Sequence, residues 1–573
     1  MALQEIESKD KIDINSHFKI VAGPGAGKTT FLINHIKNII ENSNKVNIYR
    51  KIACITYTNV AIENIIKRLD YSLEVIEVAT IHSFLYKHVL KPYLWVLQEE
   101  NKFNLKEIKG HDKITPTRSM IDEFLQKSEQ KNYLSLDNEN FKNISYILSE
   151  KLMWKLKSDL SVELELVSNK IKVKDKSNEL INLKKDSYKI YKKICWEKGL
   201  ISHDDVLYLS YEILKKSPRI LEILRAKFPY ILVDEFQDTN PFQTEIIKLI
   251  AEEESLIGVI GDDCQSIYGF QGANVLQFKN FFLEGMKEYN ILTNHRSTKE
   301  IIELLNYMRK ESLYQKIPEN KSGDKPTIII GEIIKSYKEV NEICSNEELY
   351  IVSYKENISK NIEYDVNKKV HTDFSYELLF NDGERGKRIL YIISAIEYAK
   401  QINLKKSIHF MEKVYKGIEI DKSIIMKNLK LFIENYDFFR TLSITEFYNE
   451  FIINYCSFSG KITRGKIKEK YDNLKYNEIA SLIKLDDEKS NFKTIHKTKG
   501  EEVDNILILL DHEKFKESTS LNFLLNPDME IEEHRVFYVA ISRAKKRVFI
   551  SIPEISEEFK EKLKNISFIQ IKQ

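Results

Sequence analysis

The 573-residue chain has little cysteine, and none of its cysteines form a pair with the CxxC spacing. The five are Cys54, Cys195, Cys264, Cys344 and Cys456. Such scattered thiols argue against a zinc site, an iron–sulfur cluster or a disulfide framework, and they suit a reducing cytoplasm. No stretch approaches the roughly 20 apolar residues that span a membrane. The polar, acidic residues 1–13 are unlike a signal peptide, so we expect a cytoplasmic protein with no membrane partner.

Glycine and proline are also scarce, with 18 and 10 residues, and the formal net charge is only +2. Because the charge is balanced, nucleic-acid binding cannot be inferred from bulk charge and must come from local grooves. A hydrophobic fraction of 42% and a charged fraction of 30% are ordinary for a globular protein. A chain of this length exceeds what one core organises, so we expect several domains.

A glycine-rich turn between an apolar run and an amphipathic helix begins at residue 18, with the sequence FKIVAGPGAGKTT. This order lets backbone N–H groups and the positive end of a helix surround phosphates. Lys28 is predicted to reach the β- and γ-phosphates of a nucleotide and Thr29 to ligate Mg²⁺. The predicted nucleotide-binding loop consists of Ala22, Gly23, Pro24, Gly25, Ala26, Gly27, Lys28, Thr29 and Thr30.

Two acids end a second apolar run, in the sequence YILVDEFQDTN at residues 230–240. Beside a phosphate loop, Asp234 would hold Mg²⁺ through water and Glu235 would orient and deprotonate the attacking water. A pair of acids after a core strand is commonly just a solvated loop. The next block, GDDCQSIYGFQGA at residues 261–273, makes that simpler interpretation unlikely because it also follows a buried-type strand.

These three blocks closely resemble motifs of the UvrD/Rep-like superfamily 1A DNA helicases. The resemblance implies that Gln265 senses the γ-phosphate and that Tyr268 and Phe270 contact or stack on DNA bases. Every base offers a π-face, so an aromatic shelf grips DNA without reading sequence, at roughly 1–3 kcal/mol per base. Thr30 and Gln271 stand where the family usually has arginine.

Further segments resemble the DNA-contacting motifs of the first lobe. In the sequence TYTN, the resemblance implies that Tyr57, Thr58 and Asn59 contact the DNA strand. His82, in the sequence TIHSF, is a second candidate, although a lone histidine is more often structural. The acids of SHDD, at residues 202–205, are expected to cap a helix rather than to do chemistry.

The remaining motifs lie far along the chain from Lys28. In LTNHRS the resemblance gives Arg296 the role of stabilising charge on the transferring phosphoryl group, and His295 the role of stacking on adenine. Arg543, in the sequence ISRA, would be the second such arginine. An arginine finger is worth about 10³–10⁵ in rate. Because both arginines are distant in sequence, we expect a second lobe that closes on ATP.

The segment KTIHKTKGEE, at residues 493–502, resembles another motif of the second lobe. In this mapping Thr494 and His496 face DNA, and Glu502 faces the nucleotide ribose. The family also has a glutamine upstream of the phosphate loop that specifies adenine, for which Gln4 is the candidate here.

The predicted fold is α/β, with two RecA-like P-loop NTPase lobes, each a parallel sheet with helices on both faces and each with a mainly helical insertion. The lysine-rich stretch 169–193 could line a DNA path or be a solvated helix face, and the solvated helix face is the prediction. The predicted boundaries are 1–85 plus 200–290 for the first lobe, 86–199 for its insertion, 291–365 plus 490–573 for the second lobe, and 366–489 for its insertion.

The resulting prediction is an ATP- and Mg²⁺-dependent DNA helicase or translocase that acts on single-stranded DNA or DNA ends, with 3′–5′ polarity implied by the family. The chain also resembles the short helicase subunit of Gabija-type antiphage systems, which implies an OLD-family ATPase–nuclease as partner. Two other functions share part of this pattern. A sensor subunit that switches such a nuclease without processive unwinding stays open, whereas a small-molecule P-loop kinase leaves the later motifs unexplained.

Overall fold

The computed structural model describes most of the chain as two compact units. Unit 1 comprises residues 1–331, 343–349 and 498–573, and unit 2 comprises residues 332–342 and 350–497. The described residues are 3–69, 74–108, 110–167, 171–310, 313–318, 321–345, 347–355, 358–359, 362, 382–400, 403–415, 421–456, 458, 460–482, 490–563 and 566–571.

A seven-stranded parallel sheet in unit 1 carries the phosphate loop, in the strand order β1-β11-β2-β10-β9-β3-β4. Its strands are β1 (Gln4–Glu5), β2 (Phe18–Ala22), β3 (Ile52–Thr56), β4 (Ile76–Thr80), β9 (Tyr230–Val233), β10 (Leu256–Gly261) and β11 (Lys287–Ile291). Strands β2, β9 and β10 are adjacent. Because parallel strands end at the same edge, the phosphate loop, the acid pair and the GDDCQ segment start side by side.

Both faces of this sheet are buried under helices. Successive strand residues alternate between two hydrophobic clusters: Ala53 and Ile55 of β3 belong to one, and Ile52 and Cys54 to the other. This period of two follows from the pleat of a strand. The helix Lys28–Asn42 covers one face through side chains such as Phe31. The near-continuous apolar strands are typical of a parallel sheet covered on both sides.

A second set of parallel strands in unit 1 has the order β15-β16-β12-β17. Its strands are β12 (Thr327–Ile330), β15 (Val503–Leu509), β16 (Ala544–Ile552) and β17 (Ser567–Gln570). In unit 2, residues Ile351–Ser353 of β13 (Leu349–Ser353) pair in parallel with β14 (Phe492–Thr494). The α/β class with parallel sheets flanked by helices is thus confirmed.

The segment 86–199 is mainly helical but also contains two antiparallel strand pairs. These are β5 (Leu152–Leu156) with β6 (Val162–Leu166), and β7 (Val173–Lys174) with β8 (Leu180–Ile181). The prediction of one solvated helix face over 169–193 is wrong for the described residues. Strands β7 and β8 interrupt it, and the buried Lys192 lies 2.8 Å from Asp205 Oδ1.

Unit 2 has a helical core of its own, in which aromatic and aliphatic side chains meet. Phe432, Phe439, Phe447 and Tyr476 are fully buried there. The ring centroids of Phe439 and Phe447 lie 4.8 Å apart. Such contacts explain how this segment forms a compact body with few glycines and prolines.

The remaining elements are helices. Their bounds are Lys28–Asn42, Asn59–Leu69, Ile81–Leu85, Lys91–Tyr93, Arg118–Lys127, Asn138–Tyr146, Tyr188–Glu197, His203–Lys216, Pro218–Lys227, Pro241–Ala251, Val275–Lys279, Lys299–Arg309, Ile333–Cys344, Gly383–Lys400, Leu404–Val414, Lys422–Glu434, Tyr436–Phe439, Ile444–Glu446, Ile453–Cys456, Lys466–Asp472, Tyr476–Leu482, Glu517–Ser520, Asn522–Leu525, Glu532–Ile541 and Glu557–Lys562. Within the described ranges, none is both long and apolar enough to cross a membrane. All five cysteines are buried and unpaired as disulfides.

Candidate nucleotide and DNA site

The phosphate loop turns between β2 and the helix that begins at Lys28. Gly25 and Gly27 have φ angles of 68° and 85°, a left-handed conformation that favours glycine. A Cβ atom on Gly25 would clash with Asn294 Oδ1, and one on Gly27 would lie 2.9 Å from Ser8 Cβ. Both glycines therefore allow close packing as well as the turn. Lys28 Nζ donates to the carbonyl of Ala22 at 3.2 Å, which holds the ammonium at the end of the strand.

The loop is held from outside by residues that the sequence analysis did not select. Gln315 Nε2 donates to the carbonyl of Pro24 at 2.9 Å, and Asn294 Oδ1 accepts from the backbone N–H of Arg296 at 2.9 Å. The backbone N–H of His295 donates to the carbonyl of Gly25 at 2.9 Å. Asn294 lies within a quoted motif, whereas no sequence pattern marks Gln315.

These elements enclose a pocket in unit 1 that gathers most of the predicted nucleotide-site residues. It is lined by Gly23, Pro24, Gly25, Ala26, Gly27, Lys28, Thr29, Thr30, Arg68, Glu235, Gln265, His295, Arg296, Gly500, Glu502 and Arg543. Ala22 and Asp234 do not line it, and both are buried. Arg68 is a residue that sequence analysis missed: its Nη2 donates to Thr30 Oγ1 at 2.9 Å.

The two acids after β9 differ in their electrostatics. Glu235 has a φ of 52°, an unusual backbone conformation that concentrates at functional sites. Burial opposes ionisation of Glu235, but the positive charges of Lys28 and then Lys499 lower its pKa. Burial, followed by the charge of Glu235, raises the pKa of Asp234. Glu235 is therefore held as a carboxylate, which is the form that a general base needs.

The residues present fit a magnesium ion chemically. Mg²⁺ prefers oxygen ligands, usually one or two carboxylates together with substrate phosphates. Asp234 and the hydroxyl of Thr29 supply such oxygens. The pKa of the buried Asp234 carboxyl is raised because burial disfavours its charge, and a nearby cation would favour the ionised form.

Two arginines from the later part of the chain reach the same pocket. Arg543 is buried, and its Nη2 donates to Gln265 Oε1 at 2.9 Å. Burial and then the nearby Arg296 lower the pKa of Arg543 to about 9. Arg296 Nη1 donates to the carbonyl of Ser542 at 2.8 Å. Two guanidinium groups close to Lys28 create a positive site that suits a triphosphate.

Aromatic side chains cluster next to Gln265. The rings of Tyr57 and Tyr268 stack with centroids 4.8 Å apart, and Lys499 Nζ lies 4.9 Å from the Tyr268 centroid. Tyr268 is only 8% exposed, whereas Phe270 is 56% exposed. The ring of Tyr268 is thus engaged on the protein side, and Phe270 presents the accessible aromatic surface. Tyr57 OH donates to Gln271 Oε1 at 2.7 Å, which connects the two predicted DNA-contacting segments.

The other predicted DNA contacts of the first lobe lie at helix starts. Thr58 Oγ1 accepts from the backbone N–H of Ala61 at 3.2 Å, and Asn59 begins the next helix in an exposed position. His82 is placed among other histidines, with its ring centroid 5.6 Å from that of His203. Burial, followed by His203 and His111, lowers the pKa of His82 to about 3, so the ring is neutral.

Two motifs of the sequence analysis have clear local roles. Ser202 and Asp205 form a capping box at the helix His203–Lys216, as expected for acids that cap. Gln4 lies in β1 in an exposed position and does not line the pocket. Glu7 lies beside the predicted base-stacking residue, with its Oε2 3.7 Å from His295 Nε2.

Thr494 and His496 belong to unit 2. Thr494 is the last residue of β14. His496 lies in the short turn that follows, and its ring packs edge-on against Tyr354 with centroids 5.8 Å apart. Their predicted DNA contacts stay predictions.

Comparison with protein families gives two matches, which together span most of the chain. The family described as UvrD/REP helicase N-terminal domain matches residues 4–284. The family described as UvrD-like helicase C-terminal domain matches residues 354–554. The first match includes the phosphate loop, the acid pair and the aromatic segment, and the second includes Glu502 and Arg543.

Two curated relatives align over nearly the whole chain, and a third aligns over about half of it. The Gabija protein GajB of Bacillus cereus is 25% identical over 668 aligned residues, covering 97% of this chain and 96% of the relative. The ATP-dependent DNA helicase Rep of Buchnera aphidicola is 25% identical, covering 96% and 93%. The ATP-dependent DNA helicase PcrA of Staphylococcus epidermidis is 29% identical over 318 residues, covering 53% and 40%.

Proposed function

This chain belongs to the UvrD/Rep family of ATP-hydrolysing DNA helicases, and we propose that it translocates along single-stranded DNA in the 3′–5′ direction. The observation that carries this proposal is one continuous segment, residues 265–271. At one end Gln265 receives a hydrogen bond from Arg543 within the nucleotide pocket. Four residues after the buried Gln265–Ser266 pair, the exposed ring of Phe270 offers a stacking surface. The residues proposed for ATP hydrolysis and for DNA binding therefore lie on one short segment, residues 265–271.

The chemistry follows from the charges in the pocket. Lys28, Arg296 and Arg543 provide three positive groups for phosphate oxygens, and Glu235 serves as the base that orients and deprotonates water. Magnesium, held by Thr29 and Asp234, would supply electrostatic stabilisation of the phosphate charge. Arg543 lies far along the chain from Lys28 but lines the same pocket, and closure of these residues on nucleotide would supply the motion that a stepping motor needs.

The first test is steady-state ATP hydrolysis by the purified chain, with and without single-stranded DNA, across a salt series. Strong stimulation that weakens as salt increases is expected, because phosphate contacts release counterions. Strand displacement from duplexes with 3′ or 5′ tails then reports polarity. Hydrolysis that does not respond to single-stranded DNA at any salt concentration would exclude the DNA-driven motor.

A second candidate function is favoured by the near full-length similarity to a Gabija protein. In it, the chain is the DNA-sensing ATPase of an antiphage defence complex and controls an OLD-family nuclease without processive unwinding. The same pocket and aromatic segment would serve both functions, because each requires ATP hydrolysis that depends on DNA.

Strand displacement separates the two functions. A motor displaces a strand as an isolated chain, whereas a sensor hydrolyses ATP on DNA ends without displacement. Co-expression with an OLD-family nuclease, followed by size-exclusion chromatography, tests for the partner. A phage plating assay on cells that carry the intact chain or the Lys28→Ala chain tests the defence role. That role would be rejected if both kinds of cell gave as many plaques as cells that lack the system.

A further inference from the structure

The helix Glu532–Ile541 and the residues directly after it contact the segment 265–271 at three points. Beyond its end, Arg543 Nη2 donates to Gln265 Oε1 at 2.9 Å. In its first turn, Arg535 Nε donates to the carbonyl of Ser266 at 2.6 Å. At its first residue, Glu532 Oε1 accepts from the backbone N–H of Gly269 at 3.0 Å. The helix therefore runs alongside the segment that joins the nucleotide pocket to Phe270.

Two of these contacts are deeply buried, and the third is not. Arg543, Gln265 and Ser266 are buried, and Arg535 is held in addition by the carbonyl of Met529 at 2.7 Å. Glu532 is only partly buried. The first two contacts fix the segment near the pocket, and the contact at Glu532 holds the aromatic end together with the hydrogen bond from Tyr57 to Gln271.

Gly269 begins a single 3-10 turn, Gly269–Gln271, that contains Phe270. The first N–H groups of such a turn have no partner within it. Glu532 supplies an acceptor from another part of the chain. A Cβ on residue 269 would lie 2.5 Å from Glu532 Oε2, so the carboxylate packs directly on the glycine. The turn ends at Gly272, whose N–H donates to the carbonyl of Gly269 at 3.0 Å.

We propose that Glu532 is a positioning residue that holds the Phe270 turn on the helix leading to Arg543, so that DNA contact at Phe270 and nucleotide contact at Arg543 depend on each other. The helix has ten residues and is about 15 Å long, and Arg543 follows two residues after its end. Movement of Arg543 towards or away from nucleotide therefore shifts the acceptor that holds Gly269. This inference rests on the proposed DNA-stimulated ATPase. It names the hydrogen bond from Gly269 to Glu532 as a contact that links DNA binding to nucleotide binding.

The hydrogen bond requires an acceptor oxygen and does not require a charge. Glu532→Gln keeps such an oxygen on a side chain of the same length, whereas Glu532→Ala removes it. Glu533, the next residue, is an exposed acid in the same first turn of the helix. Glu533→Ala is thus a control with the same change of charge and the same effect on the helix terminus.

The experiment measures ATP hydrolysis of all four chains against the concentration of single-stranded DNA. We expect Glu532→Ala to need about tenfold more DNA for half-maximal stimulation, since one hydrogen bond of ordinary strength is lost. Glu532→Gln and Glu533→Ala stay within about twofold of the unaltered chain. The KM for ATP of Glu532→Ala changes less than its DNA requirement, a split that simple destabilisation would not produce.

A fluorescent base analogue in the DNA gives an independent reading of stacking, because stacking on an aromatic ring quenches it. If Glu532→Ala does not fold, Glu532→Asp replaces it, since the shorter side chain keeps the charge but withdraws the acceptor. Failure of the unaltered chain to respond to DNA contradicts the proposed function. A normal response in Glu532→Ala, or equal losses in Glu532→Ala and Glu532→Gln, contradicts only the role of this hydrogen bond.

Discussion

Arg296 and Glu502 form an ion pair inside the nucleotide pocket, with Nη2 2.7 Å from Oε1. Both residues line the pocket. The guanidinium also donates to the carbonyl of Ser542. Within the described part of the chain, its buried Nε has no hydrogen-bond partner. Phosphate oxygens that recruit Arg296 must therefore compete with the carboxylate of Glu502.

Replacing Glu502 with glutamine removes this competition and keeps an oxygen that can bond to a ribose hydroxyl. We expect the Glu502→Gln chain to bind a non-hydrolysable ATP analogue several-fold more tightly, because one negative charge is removed from a site that takes a polyanion. Isothermal titration calorimetry measures the Kd. A Kd raised tenfold or more would instead show that the carboxylate itself binds nucleotide.

Lys28 is predicted to be essential for hydrolysis. We expect Lys28→Ala to lower kcat at least about 100-fold, since loss of one preorganised charge at the transition state is commonly worth about 10²–10³ in rate. Lys11→Ala is the control, because Lys11 is an exposed lysine whose Nζ lies 3.9 Å from Glu41. Steady-state phosphate release is measured for both. Hydrolysis by Lys28→Ala at half the normal rate would overturn the site assignment.

Phe270 is predicted to stack on DNA bases. Removing its ring should weaken single-stranded DNA binding about 5- to 150-fold, which corresponds to roughly 1–3 kcal/mol per stacked base. Phe282 provides a matched control, since it is a similarly exposed phenylalanine at 63%. Fluorescence anisotropy of a labelled oligonucleotide gives both affinities. Equal affinities of Phe270→Ala and Phe282→Ala would remove Phe270 from the DNA contact.

His35 is predicted to make the fold sensitive to acid. Its ring lies between Phe18 and Phe31, with centroids 4.8 Å and 5.6 Å away. Burial lowers its pKa from 6.5 to about 4, and the charge of Asp13 opposes this shift only partly. The unfolded chain therefore takes up a proton as pH falls below about 6.5, while the folded chain stays neutral. The stability due to neutral His35 is lost between pH 6.5 and 4.

The loss should reach about 2 kcal/mol at pH 5, from roughly 1.4 kcal/mol for each pH unit. We expect the apparent Tm of the unaltered chain to drop more between pH 7.5 and pH 5 than that of His35→Leu. His409→Leu, which changes an exposed histidine, should follow the unaltered chain. Differential scanning calorimetry measures all three, and parallel decreases in Tm would refute the role of His35.

Motif spacing predicted the chemistry of the pocket because nucleotide chemistry demands particular residue types at fixed offsets on strand ends. It did not predict Gln315 or Arg68. These residues reach the loop from distant parts of the chain. Their side-chain types are common on surfaces, so only the folded structure distinguishes them.

Local composition misled the interpretation of the first insertion. Residues 162–166, VELEL, alternate apolar and acidic side chains and form the strand β6. The surrounding lysines and glutamates gave the segment a helical composition that concealed this period of two. Lys192 belongs to the stretch 169–193 that this composition predicts to be solvated, whereas its partner Asp205 lies next to it only after the chain has folded.

Because every cysteine is buried, we expect the thiols of the native chain to react slowly with thiol-reactive dyes. Burial also raises the pKa of the thiols of Cys54, Cys195, Cys344 and Cys456, which lowers their thiolate fraction further. A single cysteine introduced at an exposed position can therefore be labelled without first removing the natural ones. Distances between two such labels, one in each unit, can then be followed by fluorescence while the molecule turns over ATP.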